Sequence, residues 1–200
     1  MKKTLLTLAT LLCSLALAAQ TKVVENPETD AVYRLPFDKG VTLVAKSISP
    51  LQSGNARSMN LVDYCAWSLE TDEYTNVCAP RDGVVESATE SSVLILHPDG
   101  LYTLIERMET VGVQVGTEVK KGDVLGTPLT YFDGVREVAI SAFHLKTNPN
   151  YGSNAALNGS YEYLKQYINP IFTTRGKCKV QLTEGGSYTV KARTWCWPWE

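Results

Sequence analysis

Val111-Gly112-Val113-Gln114-Val115-Gly116-Thr117-Glu118-Val119-Lys120-Lys121-Gly122-Asp123-Val124-Leu125-Gly126 is the stretch whose reading decides the fold. Val111, Val113, Val115 and Val119 alternate with Gly112, Gln114, Gly116 and Glu118. A period of two with β-branched residues specifies short, half-buried strands. Gly116 and Gly122 fall at turn positions, where a positive φ costs glycine little. The expectation is a compact β-sandwich.

The same rhythm extends outward. Val84–Ala88 and Val41–Ile48 read as strands, and Arg81-Asp82-Gly83 reads as a turn. Ser92–Leu96 and Leu101–Arg107 flank His97-Pro98-Asp99-Gly100, a hairpin signal. Val135–Phe143 reads as a strand with Val138, Ile140 and Ala142 on the buried face and Glu137, Ala139 and Ser141 on the other. Ser68–Asn76, with Glu70, Asp72 and Glu73, reads as an exposed acidic loop. Residues 144–160 are rich in Asn, Gly and Ser and read as a long loop. Tyr161–Tyr167 is expected as a short helix stopped by Asn169-Pro170. Lys177–Trp195 alternates around Glu184-Gly185-Gly186-Ser187 and reads as a C-terminal hairpin.

The first 19 residues read as a cleaved secretory signal. Lys2 and Lys3 precede the apolar run Leu5–Leu17, and Ala16-Leu17-Ala18 supplies a small-x-small cleavage site. The run is short for a membrane span, and no later stretch is long and apolar enough to cross a bilayer. Cys13 lies inside the apolar run behind Leu11-Leu12, which is not a lipidation pattern. Export leaves residues 20–32 as a flexible lead-in, 33–172 as the sandwich and 173–200 as the hairpin extension. Losing Lys2 and Lys3 takes the net charge from −2 to −4. No basic block remains, so nucleic acid is not an expected partner. The location expected is secreted or periplasmic.

Four cysteines remain after export: Cys65, Cys78, Cys178 and Cys196. An even count in an exported chain suggests disulfides, with three connectivities open. Proximity along the chain favours Cys65–Cys78 and Cys178–Cys196. A bridge closing so short a loop contributes about 3 kcal/mol in the chain-entropy picture. The second pair is strained in a simple hairpin. If Leu182 faces Tyr188, then Cys178 faces Ala192, and Cys196 lies further out.

Three motifs in order resemble the lysostaphin-like (LytM-type) peptidoglycan endopeptidases. They are Ala79-Pro80-Arg81-Asp82-Gly83-Val84-Val85, the hairpin Val93–Leu104 with His97 before Asp99-Gly100, and Val115-Gly116 through Leu125-Gly126. The last is shared with biotinyl and lipoyl carrier domains, but the carrier lysine is missing from the expected hairpin tip. The resemblance runs from about Tyr33 to Pro170. It implies an all-β barrel-sandwich hybrid (a duplicated hybrid motif), here with a C-terminal β-hairpin extension.

The resemblance also implies a zinc site of an H-x-x-x-D pair and the second His of an H-x-H strand. Asp63 matches the aspartate, while Met59 stands at the histidine position, and a thioether is a poor zinc ligand. The histidine after the hairpin matches Arg107, and the H-x-H strand matches Glu137-Val138-Ala139. A guanidinium cannot serve as a general base. The expectation is therefore no catalytic residue, no metal and no cofactor. A vestigial groove of Met59, Asp63, Arg107, Glu137 and Ala139 would bind peptidoglycan or a cell-wall hydrolase. His97 is expected as a turn residue.

Other binding candidates are Glu106, His144 and the indoles Trp195, Trp197 and Trp199, which suit sugar faces or interfaces. Two alternatives stand beside this reading. One is an active zinc peptidase with a rearranged site using Asp63, Glu106 or Glu137 and His144. The other is a structural or adhesive secreted module.

Overall fold

Local β propensity and the two-residue period are realised throughout the residues the structure describes. The computed structural model describes residues 31–48, 65–147 and 163–191. Among them there are fifteen strands and no helix: β1 (Val32–Arg34), β2 (Thr42–Ser47), β3 (Ala66–Thr71), β4 (Val77–Cys78), β5 (Gly83–Ala88), β6 (Ser92–Leu96), β7 (Tyr102–Glu106), β8 (Met108–Val111), β9 (Glu118–Val119), β10 (Val124–Thr130), β11 (Arg136–Thr147), β12 (Tyr163–Ile168), β13 (Ile171–Thr174), β14 (Lys177–Gln181) and β15 (Ser187–Thr189). The fold is all-β. One sheet runs β15-β2-β3-β11-β7-β6-β5-β9, with β10 and β12 also bonded to β11 and with β4 and β8 bonded to β10. A second sheet has the order β1-β13-β14, in which β1 and β13 are parallel.

The core lies under the buried face of the large sheet. Val85, Ile95, Ile105, Val138 and Ile140 meet Tyr33, Leu35, Phe37 and Phe172 there, each essentially solvent-free. Full burial of an aliphatic side chain of this size contributes about 1.5–3 kcal/mol. Strand β11 keeps the expected register, with Val138, Ile140 and Ala142 in this core. Its other face carries Glu137, Ala139 and Ser141, which are also covered.

The opening stretch resolves into the end of β8, an irregular link, β9, a turn and β10. Gly116 and Gly122 adopt φ of 85° and 99°. The alternation does not continue as one strand, because Gly112 and Gly116 bond singly to Leu125 O and Val85 O instead of joining a ladder. Val115 is left exposed. Gly126 has the stricter role. It faces Val77 of β4 and Val111 of β8, and a Cβ built on it would lie 1.9 Å from Thr110 O. Three strands converge because that position has no side chain.

The His97 hairpin forms as expected, with β6 and β7 in antiparallel register and Gly100 N donating to His97 O. Arg81 holds Asp99 through two nitrogens, at 2.7 and 3.3 Å, and fixes the turn. His97 is buried. Its Nδ1 lies 2.8 Å from Asp82 O, which can only accept, so Nε2 accepts from Thr103 Oγ1 at 2.6 Å. Burial outweighs the other influences and pushes the imidazole pKa down to about 4.

Five expectations are corrected. Residues 144–147 continue β11 and pair with β12 where the long loop was expected to begin, and residues 148–160 lie outside the described residues. Ser68–Thr71 is not an exposed loop but the second half of β3, in which Trp67, Leu69 and Thr71 alternate with Ser68 and Glu70. Residues 163–168 form β12, not a helix, because pairing with residues 142–147 of β11 overrides the helical spacing of the tyrosines. The tail turns at Thr183–Gly186, but its strands do not pair with each other: β14 bonds to β13 and β15 to β2. Last, Cys65 and Cys78 are free thiols. Cys78 lies in β4, which bonds to β10, with its thiol 3.6 Å from Asp38 Oδ1. Cys65 leads into β3, which bonds to β2 and β11, and burial pushes its thiol up to about 11. Proximity along the chain does not bring the two sulfurs together. Cys196, and with it the proposed partner of Cys178, lies outside the described residues, as do the signal segment and most of the lead-in.

Two outcomes are expected. Gly126→Ala destabilises the protein by about 3 kcal/mol or more, measured by urea unfolding, because backbone must move to admit the methyl group. The His97 pKa lies below the ordinary 6.5, so the neutral ring stabilises the fold fully above pH 6.5, and this contribution is lost as pH falls toward 4. The loss is about 3 kcal/mol. His97→Gln therefore shows a shallower decline in unfolding free energy across that window than the parent protein.

Candidate functional site

Side chains directly opposite in a ladder share a face, so the register defines the groove. Across β11, Glu137 faces Glu70 and Ala139 faces Ser68 of β3, and Ala139 also faces Glu106 of β7. Lys46 of β2 faces Ser68 in turn. Together with Arg107 and Glu184 these strands outline an open groove of about 550 Å³. Ile48, Ala66 and Ala139 form a small apolar cluster beneath it.

Arg107 enters this groove through an unusual backbone. It joins β7 to β8 with φ of 62°, the single non-glycine residue with positive φ among those described. A side chain in the left-handed region costs roughly 1–2 kcal/mol. The conformation is held from both sides: Arg107 O accepts from Leu129 N at 2.9 Å, and Met108 N donates to Ser91 O at 3.1 Å. The kink lets Met108 drop into the core while Arg107 lies over β11.

The guanidinium meets Glu137, whose side chain is only 6% exposed. Glu137 Oε1 accepts from Arg107 Nη1 and from Ser68 Oγ, and Oε2 accepts from Tyr131 Oη at 2.5 Å. Burial alone raises this carboxyl. The hydrogen bonds from Ser68 and Tyr131 and the Arg107 charge overcome it, holding the pKa below the usual carboxylate range. Beside this cluster Lys46 and Glu70 form an exposed ion pair at 2.6 Å. Lys46 lies on β2, so Glu70 stands between it and Glu137 in the order of the strands.

The structure thus brings together three of the five vestigial-groove positions: Arg107, Glu137 and Ala139. Met59 and Asp63 lie outside the described residues, as do Trp195, Trp197 and Trp199. Glu106 shares the groove face with Glu137. His144 alternates onto the other face of β11, opposite Gln166 of β12, so it does not join Glu106 or Glu137. Tyr131 and Ser68 were not anticipated. The signal for Ser68 was the alternation around Trp67 and Leu69. Tyr131 follows from the strand register alone, which no local motif announces.

Zinc needs several N, O or S donors and an open position. Arg107 is a permanent cation, Ala139 has no donor, and both Glu137 oxygens are already engaged. No group of three or more His, Cys, Asp or Glu among the described residues could hold a metal. The described part of the site does not fit zinc.

Comparison with known proteins accords with the motifs. Residues 65–133 match the model of peptidase family M23. Among solved structures, the M23 metalloprotease pseudoalterin, from the deep sea, aligns over 82% of this chain and 100% of its own at 13% identity, with a TM-score of 0.48. Helicobacter pylori Csd3 aligns over 56% of this chain and 30% of its own at 15% identity, with a TM-score of 0.41. No curated protein matches. Among the described residues no helix is long and apolar enough to cross a membrane.

Removing one partner of the Arg107–Glu137 pair leaves a covered carboxylate short of a donor. Arg107→Ala is therefore expected to cost about 2 kcal/mol in urea unfolding. Adding Glu137→Gln recovers part of that loss, whereas independent sites would add.

Proposed function

Given that residues 65–133 match peptidase family M23, we propose that this is an exported, catalytically inactive LytM-like domain that binds cell-wall peptidoglycan through its groove. The observation that carries the reading is the Arg107–Glu137 pair. At two positions where the resemblance expects histidines, an arginine and a glutamate neutralise each other, and a third position is alanine. An ion pair closed by Ser68 and Tyr131 neither binds a metal nor activates water.

The pair does retain a surface for recognition. Arg107 is a third exposed, and Lys46, Glu70 and Glu184 border it. Such a groove, with both signs of charge close together, suits peptide stems bearing carboxylates and amines. A guanidinium offers five donors, so Arg107 keeps several after satisfying Glu137. The signal segment supports a location beyond the cytoplasmic membrane, where such stems are found.

The test uses the full exported chain. It is expected to co-sediment with purified sacculi without releasing soluble fragments, and to carry no stoichiometric zinc by elemental analysis. Arg107→Ala is expected to weaken sedimentation about tenfold, the scale of a charge-assisted hydrogen bond. Stoichiometric zinc, together with sacculus hydrolysis that disappears in Asp63→Ala, would establish the peptidase instead. Failure to sediment at all refutes cell-wall binding.

A further inference from the structure

One end of the large sheet carries exposed groups that neither the core nor the Arg107 groove uses. The registers fix which residues meet there. Thr71 at the end of β3 faces Arg136 at the start of β11, and Thr42 at the start of β2 faces Thr189 at the end of β15. Beyond these positions lie the β3–β4 loop and the β10–β11 turn, with the β13–β14 turn alongside β15. Hydrogen bonds tie the pieces together. Arg136 Nη1 donates to Asp72 O at 3.0 Å and to Gly134 O at 3.1 Å, joining the loop to the β10–β11 turn. Thr42 N donates to Glu73 Oε1 at 2.8 Å, and Arg175 N donates to Thr189 O at 2.9 Å.

Two aromatic side chains stand in water at this end. Phe132, in the β10–β11 turn, is fully exposed. Tyr74, in the β3–β4 loop, is 79% exposed, and the Arg136 guanidinium carbon lies over its ring, 5.4 Å from the centre. Their chain neighbours are acids: Asp133 follows Phe132, and Asp72 and Glu73 precede Tyr74, all three exposed. Across β2 to β15, two strand spacings or about 10 Å away, the sign reverses. Exposed Arg175 and Lys177 flank Gly176, and exposed Lys39 precedes Gly40, whose N–H donates to Val190 O. None of these six charges enters an ion pair among the described residues. Beside the acidic half is an open depression of about 420 Å³ with Leu43, Val44 and Val135 in its lining.

We propose that this end of the sheet is a self-complementary face on which a second copy of the chain docks about a two-fold axis. The aromatic, acidic half of each copy rests on the basic half of the other. Charge complementarity selects this occupant. A face with one acidic and one basic half matches itself after a half-turn, which is the condition for an isologous pair. Phe132 and Tyr74 of one copy then meet Arg175 of the other, and aromatic faces attract guanidinium groups. Aromatic residues and arginine are also the side chains enriched at protein interfaces. The acids beside both rings oppose an anionic lipid surface. The pairing does not depend on peptidoglycan binding.

The test is analytical ultracentrifugation of the full exported chain. At about 50 mM salt a monomer–dimer equilibrium is expected, with a dissociation constant on the order of 10 μM. Raising the salt to about 500 mM weakens it about tenfold, because the charges are exposed. Phe132→Ser weakens it about tenfold and leaves the urea midpoint unchanged, since the ring packs against nothing in the monomer. Asp72→Lys and Lys177→Glu each weaken the dimer. An equimolar mixture of these two variants associates more tightly than either alone, because each new charge then meets its opposite across the axis. Neither a folding defect nor non-specific stickiness produces that recovery.

A chain that stays monomeric up to about 200 μM overturns the inference, since a face of this kind is expected to pair at least weakly. So does a dimer indifferent to Phe132→Ser, or a mixture no tighter than its components. Assembly that continues past the dimer makes the contact head-to-tail and overturns the two-fold pairing. A monomer that pellets with phosphatidylcholine vesicles through Phe132 makes the tip a membrane contact instead.

Discussion

Strand β11 is hydrogen-bonded along both edges, and the rest of the groove is built on that constraint. One edge takes β3 and then β12, and the other takes β10 and β7. A strand saturated in this way cannot slip by one residue without losing ladders to four neighbours and turning its core side chains outward. Every groove position inherits its place from this register. Glu137 reaches Ser68 because Ser68 lies beside its ladder partner on β3, and Tyr131 arrives because β10 turns into β11.

Glu137 is the energetic counterpart of that rigidity. A carboxylate so thoroughly covered is tolerated only when its charge and lone pairs are met. Ser68, Tyr131 and Arg107 come from three different elements, so the carboxylate ties β3, the β10–β11 turn and the β7–β8 kink into one unit. Whether such a pair adds net stability over an apolar replacement is a separate matter, since desolvation offsets much of the attraction. Its clear effect is geometric: it fixes where the Arg107 charge sits.

Much of this was legible in the chain where the cause is local. The His97-Pro98-Asp99-Gly100 turn encodes its own hairpin, and alternation through Val138, Ile140 and Ala142 identifies the buried face of β11. Arg107, Glu137 and Ala139 could be placed together by motif order. What failed depended on distant partners. Glu70 and Asp72 made the second half of β3 look like loop, although Leu69 is fully buried against the core. Tyr163 and Tyr167 have helical spacing, but a free edge of β11 was available to pair. Cys65 and Cys78 are neighbours in sequence and belong to different ladders. Tyr131 carries no motif, because a hydroxyl meeting a carboxylate six residues on depends on a hairpin register.

The left-handed backbone at Arg107 bears on how such a site can change over generations. Histidine and asparagine occupy that region more readily than most residues, so the main chain poses no obstacle to an imidazole there. The obstacle is Glu137, which would lose its cation. Conversely, exchanging Glu137 alone strands the guanidinium beside Ser68. Either single exchange passes through a destabilised form, whereas the two together do not, so positions 107 and 137 are expected to vary as a pair. The ion pair thus couples the two positions, and changing one without the other leaves its partner's charge unmet.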